Sequence, residues 1–286
     1  MHVEINGARI FFDVAGPKFA LEGEPMAERP TLIVLHGGPG FDHVRMRPWF
    51  DRFSDTHQVL YLDHRGNGRS GGGPESWTLA QWGDDIHALC ERLGIERPVV
   101  LGLSFGGMVA MSYAQRHPDG PSKLVFASTA GRMDLPATYA AMERLGGPEA
   151  RRIAEGFWTS PTAELADQYM SVCMPLYNPG PARDGADRNR SILRTEVMFH
   201  FINGEQRSMD LLTGLQAVRC PALVLAGGQD PITPLGCSQA IFDALPPEVR
   251  ELVVFEGAGH GVHRDEPERA ETVLRRFLAG EPAAGV

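Results

Sequence analysis

The feature that most limits what this chain can fold into is a series of short, unbroken apolar runs. Each stops at glycine or a polar residue. Thr31 to Leu35 ends at His36-Gly37-Gly38, Gln58 to Leu62 at Asp63, and Pro98 to Leu103 at Ser104. Lys123 to Ala127 ends at Ser128, Ala222 to Ala226 at Gly227, and Glu251 to Phe255 at Glu256. A strand with one wet face alternates apolar and polar residues. A run without alternation needs both faces covered, as in a parallel sheet sandwiched by helices. Helical patterns fill the spaces. Leu79 to Leu93 sets Ile86, Leu89, Cys90 and Leu93 at helical spacing and stops at Gly94, while Gly106 to Arg116 and Glu266 to Leu278 supply two more. Val3 to Ile5 and Ala8 to Val14 flank Asn6-Gly7, a dipeptide suited to a type I′ hairpin turn. The expectation is an α/β chain: a mainly parallel, doubly wound sheet begun by an antiparallel hairpin, with right-handed crossovers.

One stretch breaks this rhythm. From Met133 to Leu215 no convincing strand run occurs, and the segment is rich in Met and aromatic residues, with an interruption at Asn178-Pro179-Gly180-Pro181. That is longer than any ordinary crossover. Residues 133–215 are therefore predicted to form a helical cap inserted into a core built from 1–132 and 216–286.

Composition narrows the function. Basic residues number 27 and acidic residues 36, a formal charge of −9. A nucleic-acid partner would call for a basic face, so none is expected. No apolar run approaches a membrane span, and Met1-His2-Val3-Glu4-Ile5 lacks the basic start and apolar stretch of a signal peptide. A cytoplasmic protein without a membrane partner is expected. Cys90, Cys173, Cys220 and Cys237 form no C-x-x-C pair, and buried reduced thiols are the expected state.

The chemistry is concentrated at strand ends. Gly102-Leu103-Ser104-Phe105-Gly106 is a G-x-S-x-G pattern between an apolar strand and a small-residue helix. There a serine can sit on a strained turn with its hydroxyl above the sheet and a helix N-terminus beneath it. A serine hydroxyl is a poor nucleophile at neutral pH and needs a base, which itself needs an orienting acid. Asp230 follows one strand run and His260 the next, in the order Ser, acid, His. His263, three residues on, is the rival base, for which a surface role is expected. His260 is expected to hydrogen-bond both Ser104 and Asp230. His36-Gly37-Gly38-Pro39-Gly40 supplies a loop for an oxyanion hole, its glycines free to turn an N–H toward the carbonyl oxygen and Pro39 stiffening it, with the backbone N–H groups of Gly38 and Phe105 as donors worth roughly 3 kcal/mol each. His36 itself is expected to be structural.

These motifs resemble those of the α/β-hydrolases, and the H-G-G-P-G loop is similar to that of the proline iminopeptidase branch. Asp63-His64-Arg65-Gly66-Asn67-Gly68-Arg69-Ser70 is similar to the D-x-R-G-x-G-x-S loop of that branch, where its role is structural. The resemblance implies Ser104 as nucleophile, Asp230 as acid and His260 as base, with no metal or organic cofactor. It also implies a small-molecule or short-peptide substrate. Two departures bear on that substrate. Phe105 stands where iminopeptidases usually carry Trp, and the cap's Glu-x-His-Tyr-Phe stretch is matched only by Glu196-Val197-Met198-Phe199-His200-Phe201 with a one-residue slip. Glu196 and Glu205 are candidates to bind a substrate amine, although they can also be solvated helix acids among Arg190, Arg194 and Arg207. The leading expectation is a proline-iminopeptidase-like aminopeptidase or amidase that releases a small N-terminal residue, and it needs such a carboxylate. A carboxylesterase or lactonase does not, and its pocket can be apolar, lined by Phe105, Trp158 and Met174. A ligand sensor on the same fold is a third reading. Haloalkane dehalogenase and epoxide hydrolase chemistry is disfavoured, because both need Asp in place of Ser104.

Overall fold

The structure, a computed structural model, describes residues 1–20, 26–180 and 190–283. Eight strands form one sheet: β1 (His2–Ile5), β2 (Ala8–Ala15), β3 (Thr31–Leu35), β4 (Gln58–Leu62), β5 (Val99–Leu103), β6 (Lys123–Ala127), β7 (Ala222–Gly227) and β8 (Arg250–Phe255). Their order is β1-β2-β4-β3-β5-β6-β7-β8. β1 and β2 pair antiparallel, as do β2 and β4, and every later pair is parallel. At the hairpin tip Asn6 and Gly7 both take positive φ, at 48° and 72°, the twist a type I′ turn requires.

The unbroken apolar strands are buried on both sides, as their pattern demands. Ile33 and Leu35 of β3 face one layer, where α1 (Leu79–Leu93) and α2 (Phe105–Arg116) bring Trp82, Ile86 and Val109. Leu32 and Val34 face the other, against Phe53, Val273 and Phe277. Each such side chain taken wholly out of water contributes roughly 1.5–3 kcal/mol. α1 begins where the Thr78 hydroxyl accepts the Gln81 N–H at 3.1 Å and ends at left-handed Gly94, φ 63°. All four cysteines are buried free thiols.

Between β6 and β7 every regular element among the described residues is helical. α3 (Leu135–Thr159) is broken at Gly147, φ 77°, followed by Pro148, which has no N–H to continue the ladder. α4 (Ala163–Gln168) runs through one wider turn and one tighter turn to Tyr177, and α5 (Thr195–Asn203) follows. Residues 181–189 of the predicted cap, Pro181 included, lie outside the described residues. These helices bury Met142, Ile153, Phe157, Tyr169 and Met198 against Phe41 and Ile232 of the sheet layer. After β7 come α6 (Leu235–Ala244), α7 (Val262–Asp265) and α8 (Pro267–Ala279). No helix among the described residues is long and apolar enough to cross a membrane.

Candidate active site

Ser104 stands alone between the end of β5 and the start of α2, with φ 55° and ψ −119°. That positive φ is costly for a residue with a side chain, and the surroundings hold it. Its N–H donates to Ala127 O at 3.0 Å, while its carbonyl accepts from Gly107 N at 2.8 Å and from the Thr129 hydroxyl at 2.6 Å. The neighbouring glycines are steric requirements. A Cβ on Gly106 would lie 2.3 Å from Leu35 O, and one on Gly102 would lie 2.2 Å from Gly106 O. The turn is therefore sharp because β3, β5 and α2 pass too close together for any other residue.

The acid and the imidazole come from the loops after β7 and β8, at the sheet's same edge. Asp230 is buried and fully engaged. Oδ1 accepts the Ile232 and Thr233 N–H groups at 2.8 and 3.0 Å, and Oδ2 accepts the Thr233 hydroxyl and the His260 ring, both at 2.8 Å. A carboxylate taking that many donors is an acceptor only, so His260 Nδ1 carries the proton and Nε2 keeps its lone pair. His260 is braced from the cap side too. Its N–H donates to Tyr177 O at 2.7 Å, and the Tyr177 ring meets the imidazole edge to face at 5.3 Å. One residue before it, Gly259 N donates to Asp265, which also accepts from Asn178 Nδ2.

Ser104 and His260 line the same cavity, yet no hydrogen bond joins them among the described residues. Of the two hydrogen bonds expected of the His260 ring, the one to Asp230 is present and the one to Ser104 is not. The physical reason is that a serine hydroxyl swings about a single torsion, so this contact is the one a rotation makes or breaks.

The His36–Gly40 loop crosses directly above Ser104. A Cβ on Gly37 would lie 3.3 Å from Ser104 Cβ and 3.9 Å from its Oγ. Gly38 takes φ 137°, Gly40 N donates to Asn67 Oδ1 at 2.6 Å, and Gly40 O accepts Arg194 N, also at 2.6 Å. His36 Nε2 accepts the His64 N–H, which leaves Nδ1 to donate to Gly37 O. Burial pushes the His36 and His64 rings below the ordinary imidazole range, so both stay neutral supports. Phe105 places its N–H first in α2, but its side chain turns inward among Trp82, Phe201 and His64. It does not line the cavity as expected, because the helix beneath the turn directs that position into the core.

The cavity holds about 280 Å³. Trp158 and Met174 do line it, together with Phe157, Tyr169, Met198 and Ile232. Glu196 and Glu205 do not, and both expectations are corrected. In α5 the buried residues are Val197, Met198, Phe201 and Ile202, so Glu196 falls on the exposed face. Glu205 Oε2 instead accepts Leu79 N at 2.6 Å and caps α1, on a separate cleft. His263 is also corrected: it is buried against Trp49 and Phe50 and reaches the cavity wall.

The sequence reading missed Asp42, Arg45, Tyr177 and Arg264, all on that wall. Nothing local marks them, although the alternation of buried positions in α5 would have excluded Glu196. Asp42 is the carboxylate among the described lining residues, and it is committed to Arg69 at 2.9 Å, the Ser191 hydroxyl at 2.8 Å and Ile192 N at 3.1 Å. Among the described residues no cluster of three or more His, Cys, Asp or Glu could hold a metal ion.

The profile of the alpha/beta hydrolase fold family matches residues 30–267. A protein of Caulobacter sp. strain K31 named for carbamate hydrolysis, RutD, is 30% identical over 283 residues, covering 94% of this chain and 98% of its own. The proline iminopeptidase PfmaB of Pestalotiopsis fici is 26% identical, covering 96% and 98%. The crystal structure of the Mycobacterium smegmatis proline iminopeptidase superposes with a TM-score of 0.74 at 24% identity, covering 98% and 97%, a likeness of fold.

Proposed function

Because this chain belongs to the alpha/beta hydrolase fold family, we propose that it is a serine hydrolase acting through an acyl-enzyme on a small ester or comparable neutral acyl compound. Ser104 Oγ attacks the substrate carbonyl carbon as its proton passes to His260 Nε2. Asp230 holds the resulting imidazolium. The carbonyl oxygen, now negative, takes the N–H groups of Gly38 and Phe105. The intermediate collapses, the leaving group takes the proton from His260, and the acyl group stays esterified to Ser104. Water then attacks that ester as His260 accepts its proton, the bond to Ser104 Oγ breaks, His260 returns the proton to Oγ, and the acid leaves. The observation that carries this reading is the convergence on one cavity of a strained strand-end serine and an imidazole already locked to a buried carboxylate.

Substrate class turns on charge. A free amine near neutral pH is cationic, and holding it away from water costs several kcal/mol unless a carboxylate pairs with it. Glu196 is exposed, Glu205 caps α1, and Asp42 already faces Arg69. The other charged groups on the wall include Arg45, Arg47 and Arg264. That lining favours ester-type or carbamate-type substrates over the N-terminal amine of a peptide. The substrate is a small molecule, and neither nucleic acid nor membrane is a partner in this reading.

The test pairs a fluorophosphonate probe with a parallel assay of short p-nitrophenyl esters and aminoacyl-naphthylamides. Labelling should occur in the native protein and vanish in Ser104→Ala, and the esters should show the larger kcat/KM. Faster turnover of the aminoacyl compounds would restore the aminopeptidase reading, and labelling that persists in Ser104→Ala would remove Ser104.

A further inference from the structure

Three cap side chains form a hydrogen-bond chain whose direction can be worked out. Trp158 Nε1 lies 3.1 Å from Tyr169 OH, and Tyr169 OH lies 2.8 Å from Tyr177 OH. An indole nitrogen only donates, so Tyr169 accepts from Trp158. Tyr169 is 2% exposed, and among the described residues Tyr177 is its other hydroxyl partner. If Tyr177 donated to Tyr169, the Tyr169 proton would be left buried without an acceptor. An unmade buried hydrogen bond is expensive, so Tyr169 donates to Tyr177. The Tyr177 oxygen then serves as an acceptor, and its own proton points elsewhere. Tyr177, Tyr169 and Trp158 all line the cavity that holds Ser104 and His260. Burial keeps both phenols protonated far above neutral pH.

We propose that Tyr177 presents its O–H to the bound substrate and selects acyl compounds that carry a second oxygen acceptor, such as a ketone, away from the scissile carbonyl. The proposal rests on the serine-hydrolase reading of the same cavity. Phe157, Met170, Met174, Met198 and Ile232 of the lining carry no hydrogen-bonding hydroxyl or amide, and the lining Asn178 amide already donates to Asp265, so a fixed phenol there discriminates by position. Chains of hydrogen bonds polarise one another, so a phenol that already accepts from Tyr169 is the stronger donor. A site that hydrogen-bonds its substrate also rejects analogues lacking that atom, because its own polar group is then left unpaired.

The experiment uses methyl octanoate and its isomers bearing one ketone at carbons 4, 5, 6 or 7. In the native protein one keto isomer should exceed the plain ester at least tenfold in kcat/KM, and Tyr177→Phe should reduce that ratio at least tenfold. Tyr177→Phe keeps the main-chain carbonyl that holds His260, so the ratio, and not the absolute rate, is the readout. Trp158→Phe should lower the ratio partway, because the chain loses the far-end donor that polarises Tyr169 and, through it, Tyr177. Calorimetric binding of the same esters to Ser104→Ala, with and without Tyr177→Phe, reads the preference where no turnover occurs. Turnover of every ester with no Tyr177-dependent ratio overturns the proposal and leaves the hydrolase reading standing. A Tyr177-dependent binding preference without turnover does the reverse. Absence of both preference and turnover removes both.

Discussion

Two buried aspartates stand beyond strand ends on the same edge of this sheet, and each holds a histidine ring by a short hydrogen bond. Asp230 meets His260 at 2.8 Å and Asp63 meets His43 at 2.7 Å. By distance and burial the pairs are almost interchangeable. Their remaining partners separate them. Asp63 also takes the His43 and Arg69 N–H groups and faces the Arg69 guanidinium, so it ties the loop after β4 to the loop after β3. His260 instead opens onto the cavity that holds Ser104. An Asp–His pair is thus a generic brace, and in the proposed reading it is the adjoining serine and the cavity that set the Asp230–His260 pair apart.

The sharpest way to break the comparison is to neutralise each acid in turn. Asp230→Asn should lower kcat about 10⁴-fold by imposing the wrong imidazole tautomer, as expected for triads of this type. Asp63→Asn should keep kcat within about tenfold while costing about 3 kcal/mol of stability, because a buried charge-assisted pair is broken. Esterase kinetics beside urea unfolding read both. A large kcat loss in Asp63→Asn at unchanged stability would erase the distinction.

Acid titration probes the Asp63 pair. Burial pushes the Asp63 carboxyl up, but the His43 hydrogen bond and the neighbouring His36 outweigh it and hold it at about 2 instead of 3.8. A folded value below the unfolded one gives stability that is present above about pH 4 and lost as pH falls towards 2, on the order of 2 kcal/mol. His57 works at higher pH. Burial, then the nearby Lys123 charge, lowers it from 6.5 to about 4. The unfolded chain takes that proton first, so stability declines as pH falls from about 6.5 to 4. Urea midpoints across pH 7 to 2.5 should show both declines, and Asp63→Asn should flatten only the lower one.

The smaller effects concern the cap acids. Glu205→Ala should cost about 1 kcal/mol through the lost cap on α1, with KM unchanged. Glu196→Gln should change stability by less than about 0.5 kcal/mol and leave KM for esters where it was. Thermal melts with steady-state kinetics decide both, and a KM shift in Glu196→Gln would bring that side chain back to the substrate.

The sheet was legible because its constraint is local. A run such as Thr31–Leu35 must be covered on both faces, and the predicted strand limits differ from the observed ones by at most one residue. Ser104, Asp230 and His260 were legible as polar residues just past those runs. The cap acids were not. A glutamate's direction depends on which face of its helix docks, and Glu205 meets Leu79 across 126 positions of sequence. Tyr177 carries no motif, and its role depends on where the hydrogen of the neighbouring Tyr169 hydroxyl points.

The turn at Ser104 can also be read in terms of inheritance. A side chain at φ 55° costs of order 1–3 kcal/mol, and glycine would bear almost none of it. Ser104→Gly would therefore give a chain that folds more stably and does less. In the proposed reading, selection for folding alone would push this codon towards glycine, and selection for turnover would hold it at serine. In any descendant of this chain, a serine still standing on that turn is a record of continued use.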